Sequence, residues 1–372
     1  MSVFSHSDFD HHEQVSFFHD EKTGLRAIIA VHNTRLGPAI GGCRMWAYEN
    51  DGQALKDVLR LSRGMTYKAA ITGLSLGGGK SVIIGDSRKN VIIGDSRKNK
   101  TPELMRAMGR AVESLRGRYI VAEDVGTTVE DMNLMLRETP HVVGAQHDGK
   151  GSGDPSPTTA FGVYTGLKAA VKFRLSASDV RGLRVAVQGL GNVGYGLCKL
   201  LAENGAKIFV TDVQADRIDK VMKELGATPV ALNDIYDVDA DVFAPCALGG
   251  TLNDDTIRRL KAKVVAGGAN NQLAEARHGD LLKDAEILYA PDYVINAGGL
   301  INVYYDYLSR TSGRLPDRAD VLAHVSKIGV TAESIFRRAQ QENISTSLAA
   351  DRIAEQRFRP ACAAQDAHKE AC

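Results

Sequence analysis

Residues 183–212 read LRVAVQGLGNVGYGLCKLLAENGAKIFVTD, and no other stretch narrows the fold as far. An apolar run of strand length meets glycines at 189, 191 and 194. A run of helical period follows, and a second apolar run ends on an acid. Strand, tight turn, helix and strand in so short a span form one βαβ unit, which commits this half of the chain to a parallel sheet with helices on its faces. Gly189 permits the tight turn, Gly191 lets a pyrophosphate approach the backbone, and Gly194 lets helix and strand pack closely, while the helix N-terminus attracts phosphate. Leu190, Asn192 and Val193 complete the turn. Asp212 lies twenty-three residues past Gly189, where a carboxylate accepts hydrogen bonds from ribose hydroxyls and repels a 2′-phosphate. The pattern reads as a dinucleotide site that favours NAD. Arg217, close by, argues for NADP, and a dinucleotide fold without a cofactor is the plain alternative.

At 372 residues the chain exceeds what one hydrophobic core ordinarily serves, so two domains are expected. The segment HDGKGSGDPSP at 147–157 interrupts all periodicity and marks a linker. Lysine plus arginine (46) almost balances aspartate plus glutamate (45), which gives no global field for nucleic acid or an anionic membrane surface. No apolar run reaches membrane-spanning length, and the polar start MSVFSHSDFDHHEQ lacks the core of a secretion signal. Five scattered cysteines, an odd number, suit free thiols in a reducing cytoplasm. Without CxxC or HExxH no metal site is expected.

The first half alternates strands and helices. LRAIIAVHN (25–33), SVIIGD (81–86) and RYIVAEDV (118–125) read as strands, and GQALKDVLRLSRGMTYKAAIT (52–72) as a long helix. TPELMRAMGRAVESL (101–115) begins with a threonine cap and a proline at the first helical position. TTAFGVYTGLKAAVKF (158–173) is helical, and the tail RPACAAQDAHKEAC has no apolar period.

Three residues stand out in the first half. Lys68 ends the long helix, Lys80 ends the run LGGGK, and Asp124 closes a strand in AEDVGTT. Each has a bland reading: a lysine favoured by a helix dipole, or an aspartate forming a turn. The glycines at 77–79 let a ligand or another backbone come close, and a lysine in such a dry site beside a second lysine should lose basicity. An amine of that kind can act as base toward water, or as an electrophilic donor once protonated.

The stretches LGPAIGGCRMW, LRLSRGMTYKAA, LGGGK, GRYIVAEDVGTT, DPSPTTAFGVY, VQGLGNVGY, APCALGG, GGANNQL and APDYVINAGGLINV, in this order over roughly residues 10–358, resemble the amino acid dehydrogenases. That family comprises glutamate, leucine, phenylalanine and valine dehydrogenases, and the wording is nearest the leucine type. The resemblance implies an N-terminal α/β catalytic and oligomerisation domain (1–146, with 332–372 packing back), a C-terminal Rossmann domain (147–331) and a cleft between them. It implies reversible oxidative deamination of an L-amino acid by NAD to a 2-oxo acid and ammonium, in a homo-oligomer, often an octamer. By the same resemblance Lys68 binds the substrate carboxylate, Lys80 activates water, and Asp124 shuttles protons to the amine. Gly41, Gly42 and Asn271 position substrate, Thr159, Cys246 and Ala247 line the nicotinamide, and Asn270 lies near the cofactor ribose.

Glutamate-using relatives carry a lysine just before the glycine pair, where this chain has Ile40; by similarity Ala122, Leu300 and Val303 complete the side-chain pocket. Four apolar residues favour an aliphatic substrate, since an unpaired carboxylate buried there is costly. Leucine, valine and isoleucine are all expected to react, because a methylene is worth only about 1–3 kcal/mol. An aromatic amino acid dehydrogenase on the same scaffold is the near alternative, and a non-catalytic nucleotide-binding regulator the distant one.

The chain departs from the family pattern at one place: VIIGDSRKN occurs twice, at 82–90 and 91–99. Either copy could fill the strand. Only the first keeps the glycine run next to its lysine, so the first is expected in the sheet and the second as an excursion before Thr101.

Overall fold

A computed structural model describes residues 3–85, 100–145, 154–313 and 317–359. The chain divides into two compact units, Met1–Val142 with Asp351–Cys372, and Val143–Ala350.

In the first unit β1 (Gln14–Asp20) and β2 (Leu25–Asn33) form an antiparallel hairpin. Then come β3 (Ala39–Trp46), α1 (Asp51–Ile71), β4 (Gly77–Ile84), α2 (Pro102–Glu113), β5 (Tyr119–Glu123) and α3 (Val129–Leu136). The sheet order is β1-β2-β4-β3-β5, with β4 antiparallel to β2 and parallel to β3. The Asn50 side chain caps α1 by accepting from the Gln53 amide, and Thr101 caps α2 through the Leu104 amide as its sequence predicts. Ala54, Val58 and Leu59 of α1 pack on Ile28, Ala30 and Val82.

The strand starts earlier than the expected residue 81: the glycine run is the first half of β4, so Lys80 lies inside the strand. Of the two approaches that the glycines allow, another backbone makes one: a Cβ on Gly78 would stand 2.0 Å from the Thr66 amide nitrogen of α1. The last strand residues, Val82, Ile83 and Ile84, are those of the first repeat copy; the second copy lies outside the described residues.

In the second unit α4 (Ser156–Leu175) precedes β6 (Arg184–Gln188), α5 (Asn192–Glu203), β7 (Lys207–Thr211), α6 (Ala215–Leu225), β8 (Thr228–Pro229) and β9 (Val242–Pro245). After these come α7 (Asp254–Arg259), β10 (Val264–Val265), α8 (His278–Asp284), β11 (Leu288–Tyr289), α9 (Asp292–Ile295), α10 (Gly298–Ser312), α11 (Arg318–Glu342) and α12 (Thr346–Phe358). All strand pairs are parallel in the order β11-β10-β9-β6-β7-β8, the doubly wound arrangement whose order reverses beside β6.

The boundaries differ from those expected at 146/147 and 331/332. α11 stays whole in the second unit: Phe336 stacks on Phe173 of α4 at 5.5 Å, and Ile328 lies over Gly162. The chain rejoins the first unit at Asp351, within α12. There the Arg357 guanidinium donates to the Ala70 and Ile71 carbonyls at 2.7 and 2.8 Å, closing the open C-terminal end of α1. Among the described residues no helix is long and apolar enough to cross a membrane.

Ile83 is fully buried in β4. Ile83→Ala should therefore lower the unfolding free energy by about 2–5 kcal/mol in urea titration. A loss below about 1 kcal/mol would show that the first copy does not supply the core strand.

Candidate active site

The first unit gathers Ile40, Gly41, Gly42, Lys80, Ala122 and Asp124 on neighbouring strands. Gly42 of β3 is in register with Ala122 of β5, and Ile40, two residues earlier, lies on the same face. Asp124 follows β5 directly, in a turn fixed by Thr127: the Thr127 hydroxyl donates to the Cys43 carbonyl at 2.8 Å, and the Asp124 amide donates to Thr127 at 3.0 Å. Lys80 Nζ donates to Asp124 Oδ2 at 2.7 Å. Lys80 thus stands as half of an ion pair with Asp124, two of the three residues singled out in the first half of the sequence.

Gly42 explains how the pair fits. A Cβ there would lie 2.6 Å from the Asp124 Cβ and 3.2 Å from Lys80 Nζ, so the pair occupies the space a side chain would fill. Burial opposes ionisation of Asp124, but Lys80 and Arg44 together outweigh it and bring its pKa down to about 2. Arg44 carries no signal of its own in the sequence. Its Nε donates to the same Asp124 oxygen at 3.0 Å and its Nη1 to Asp57 at 2.9 Å.

Lys68 sits in the last turn of α1. The Thr66–Gly78 contact lies two residues before Lys68 on the helix and two before Lys80 on the strand, which brings both lysines to one region of the unit. Ile40 is 1 % exposed.

The second unit places the glycine turn, Asp212, Cys246 and Ala247 at the carboxyl ends of β6, β7 and β9. Gly189 adopts φ +95°, a left-handed conformation, and a Cβ on it would meet the Ala247 nitrogen at 2.7 Å. The helix α5 that comes next has no side-chain cap, so its first amides face the glycine turn. Asp212 directly follows β7 and accepts from the Leu190 amide at 2.6 Å and the Gln214 amide at 2.9 Å. Arg217 Nη1 stands 3.9 Å from Asp212 Oδ2. Cys246, partly buried, accepts at Sγ from the Gly268 amide at 3.3 Å, and burial raises its pKa to about 11. Thr159 lies on α4, and Leu300 and Val303 lie one helical turn apart on α10, half-buried.

Asn296 is a second residue that sequence reasoning missed, although NAGG was on view. Its buried amide donates to the Asn270 side chain at 2.9 Å and the Gly268 carbonyl at 3.3 Å, while its Oδ1 has no partner. Asn271 takes φ +52° beside it. An uncapped helix start, an open glycine turn, an acid at the next strand end and an orphaned buried carbonyl fit a dinucleotide. Among the described residues no cluster of His, Cys, Asp or Glu is suited to a metal ion, and Cys43, Cys198 and Cys246 are free thiols.

The family model for the Glu/Leu/Phe/Val dehydrogenase dimerisation domain matches residues 12–141, and that for glutamate/leucine/phenylalanine/valine dehydrogenase matches 151–215 and 210–365. The chain is 50% identical over 361 residues to leucine dehydrogenase of Geobacillus stearothermophilus, covering 96% of this chain and 94% of that one. It is 48% identical over 365 residues to phenylalanine dehydrogenase of Caldalkalibacillus thermarum, with 96% and 94% covered. The solved structure of L-tryptophan dehydrogenase from Nostoc punctiforme superposes with a TM-score of 0.79 at 45% identity, over 94% of this chain and 96% of that one.

Gly42→Ala should displace the Lys80–Asp124 pair while leaving the sheet intact. Turnover should fall about 100-fold, the scale of an ångström-level misplacement, with an unchanged circular dichroism spectrum. Near-normal turnover would show that the pair tolerates displacement.

Proposed function

This chain belongs to the glutamate/leucine/phenylalanine/valine dehydrogenase family, and on that premise we propose that it oxidatively deaminates branched-chain L-amino acids with NAD. L-Leucine is the main substrate, with valine and isoleucine also used; the products are the 2-oxo acid, ammonium and NADH. The observation that carries the reading is the Lys80–Asp124 pair on the glycine-bearing face of the sheet.

The residues divide the work. Lys68 holds the substrate carboxylate, and Gly41, Gly42 and Asn271 orient the amino acid. Asp124 takes a proton from the substrate ammonium, which frees the lone pair that drives loss of the α-hydrogen. NAD would be held with its pyrophosphate at Gly189–Gly194, its ribose near Asn270 and its nicotinamide near Thr159, Cys246 and Ala247, and would supply the hydride acceptor for that hydrogen. Lys80 orients the attacking water and stabilises the oxygen charge that develops, and Asp124 returns a proton to the departing amine. A carboxylate with a pKa of about 2 is a weak base. Drawing Lys80 toward substrate and water therefore raises the basicity of Asp124 at the step that uses it.

Overall identity barely separates leucine from phenylalanine dehydrogenase relatives, at 50% against 48%. The pocket residues carry the preference instead. Ile40 and Ala122 of the first unit and, by the family resemblance, Leu300 and Val303 of the second are all apolar, which suits an aliphatic side chain. The 48% relative keeps phenylalanine as the second reading. NAD is favoured over NADP because Asp212, directly after the second strand, places a carboxylate where a 2′-phosphate would otherwise bind, with Arg217 3.9 Å from it. Homo-oligomerisation is proposed on the dimerisation-domain match, with the octamer as the expected form and the cytoplasm as its location.

Initial rates on L-leucine, L-valine, L-isoleucine, L-phenylalanine and L-tryptophan with each cofactor test this reading. Leucine with NAD should lead, and NADP should be poorer by at least about tenfold, the effect of one unfavourable charge contact. A preference for phenylalanine would transfer the assignment to the aromatic branch, and equal use of NADP would shift the ribose contact to Arg217. Lys80→Ala should abolish turnover while NADH binding, followed by fluorescence, persists. Retained turnover would remove Lys80 from the mechanism.

A further inference from the structure

Asp124 is not held by Lys80 alone. Arg44 lies on β3, two residues beyond Gly42 and therefore on the same face of the strand. Its guanidinium reaches in two directions, through Nε to Asp124 Oδ2 at 3.0 Å and through Nη1 to Asp57 Oδ2 at 2.9 Å. Asp57 belongs to α1 and also accepts from the Tyr48 hydroxyl at 2.6 Å. Lys80, Asp124, Arg44 and Asp57 thus form a row of alternating charge, with both cations on a single Asp124 oxygen. A planar fork can hold two carboxylates at fixed separation, which a lysine ammonium cannot do with the same geometry.

We propose that Arg44, braced by Asp57, is a positioning residue that fixes the Asp124 carboxylate and sets the pH range over which it exchanges protons with the substrate amine. This rests on the role of Asp124 given above. During the reaction Lys80 turns to substrate and water, and Arg44 remains as the fixed cation on Asp124. Asp57 moderates that cation. Removing Arg44 makes Asp124 more basic; removing the charge of Asp57 leaves Arg44 to act on Asp124 undiluted and makes it less basic. The other titratable groups near the pair within the unit are Cys43 of β3 and Tyr119 of β5, on the opposite face of the sheet, and Asp131 of α3, which is paired with Lys100 and acts on Cys43. Burial pushes the Cys43 thiol up to about 12 and the Tyr48 and Tyr119 hydroxyls upward, so these three stay protonated across the working range.

The test is the pH dependence of kcat for L-leucine deamination in the full-length chain and in Arg44→Gln, Arg44→Lys and Asp57→Asn. The acidic limb of kcat reports the enzyme–substrate complex. Arg44→Gln should move that limb upward by roughly one pH unit or more, the scale of losing one adjacent opposite charge, and should lower kcat more than it changes KM. Asp57→Asn should move the limb downward, and Arg44→Lys should fall between Arg44→Gln and the parent chain. Opposite displacements support the proposal. Limbs that move together, or that stay in place while kcat falls, overturn it and make Arg44 a structural residue. Should Arg44→Gln fail to fold, judged by thermal melting, the downward shift in Asp57→Asn and the intermediate limb in Arg44→Lys decide. Absence of amino acid turnover by the parent chain would instead overturn the functional reading itself, which keeps the two failures apart.

Discussion

The first unit depends on how closely α1 lies against β4. At Gly78 the helix backbone comes so near that a methyl group would overlap the Thr66 amide. Only glycine tolerates that approach, and it sets where the next residues of both elements lie. Two residues on, α1 presents Lys68 and β4 presents Lys80. The same device operates on β3, where Gly42 clears space for the Lys80–Asp124 pair. The contact is steric, so it fixes position without using any of the polar groups that chemistry requires.

Beneath that surface lies a polar floor. The Tyr119 hydroxyl is fully buried, donates to the Gly41 carbonyl at 2.7 Å and meets the Ser81 hydroxyl at 3.0 Å. A buried hydroxyl with partners is tolerable, whereas one without them is costly. Tyr119 therefore ties β3 to β4 and β5 from below while the charged groups occupy the upper face. The alternation of strand side chains separates the two tasks: Gly42, Arg44 and Lys80 serve the site, and Cys43 and Ser81 serve the floor.

Much of this is legible in the sequence. The strand at 25–33 and the threonine cap at 101 come directly from β-branched composition and cap chemistry. The turn at Gly189–Gly194 is legible because its glycines, helix and acid all obey one spacing. β1 and β3 do not read as strands. QVSFFHD carries its charges and polar groups along an edge, and AIGGCRMW carries glycines of low strand propensity that are chosen for clearance. The glycine run of β4 leaves ligand and backbone both open because sequence shows that space is left without showing what fills it. Arg44 and Asn296 escape for a related reason: their partners lie 80 and 26 residues away in sequence, and only folding brings them into contact. The unit boundary falls elsewhere than expected because α11 is amphipathic whichever unit it packs on.

The same glycines decide the register of a strand whose sequence is written twice. A slip of nine residues would preserve the apolar triplet, since Val91, Ile92 and Ile93 repeat Val82, Ile83 and Ile84. It would also replace Lys80 with Lys89, so apolar pattern and lysine alone cannot choose between copies. Upstream the equivalence fails. Asp86, Ser87 and Arg88 would take the places of Gly77, Gly78 and Gly79. A Cβ of Ser87 would then stand at the Gly78 position, 2.0 Å from the Thr66 amide nitrogen, and one of Arg88 at the Gly79 position, 2.7 Å from the Tyr119 ring. Both contacts are with backbone or a buried ring that cannot yield without moving α1 or β5. Unequal flanks therefore select between equal strands. The glycine run that brings the lysines together also makes the second copy sterically incompatible with the position that the first one holds.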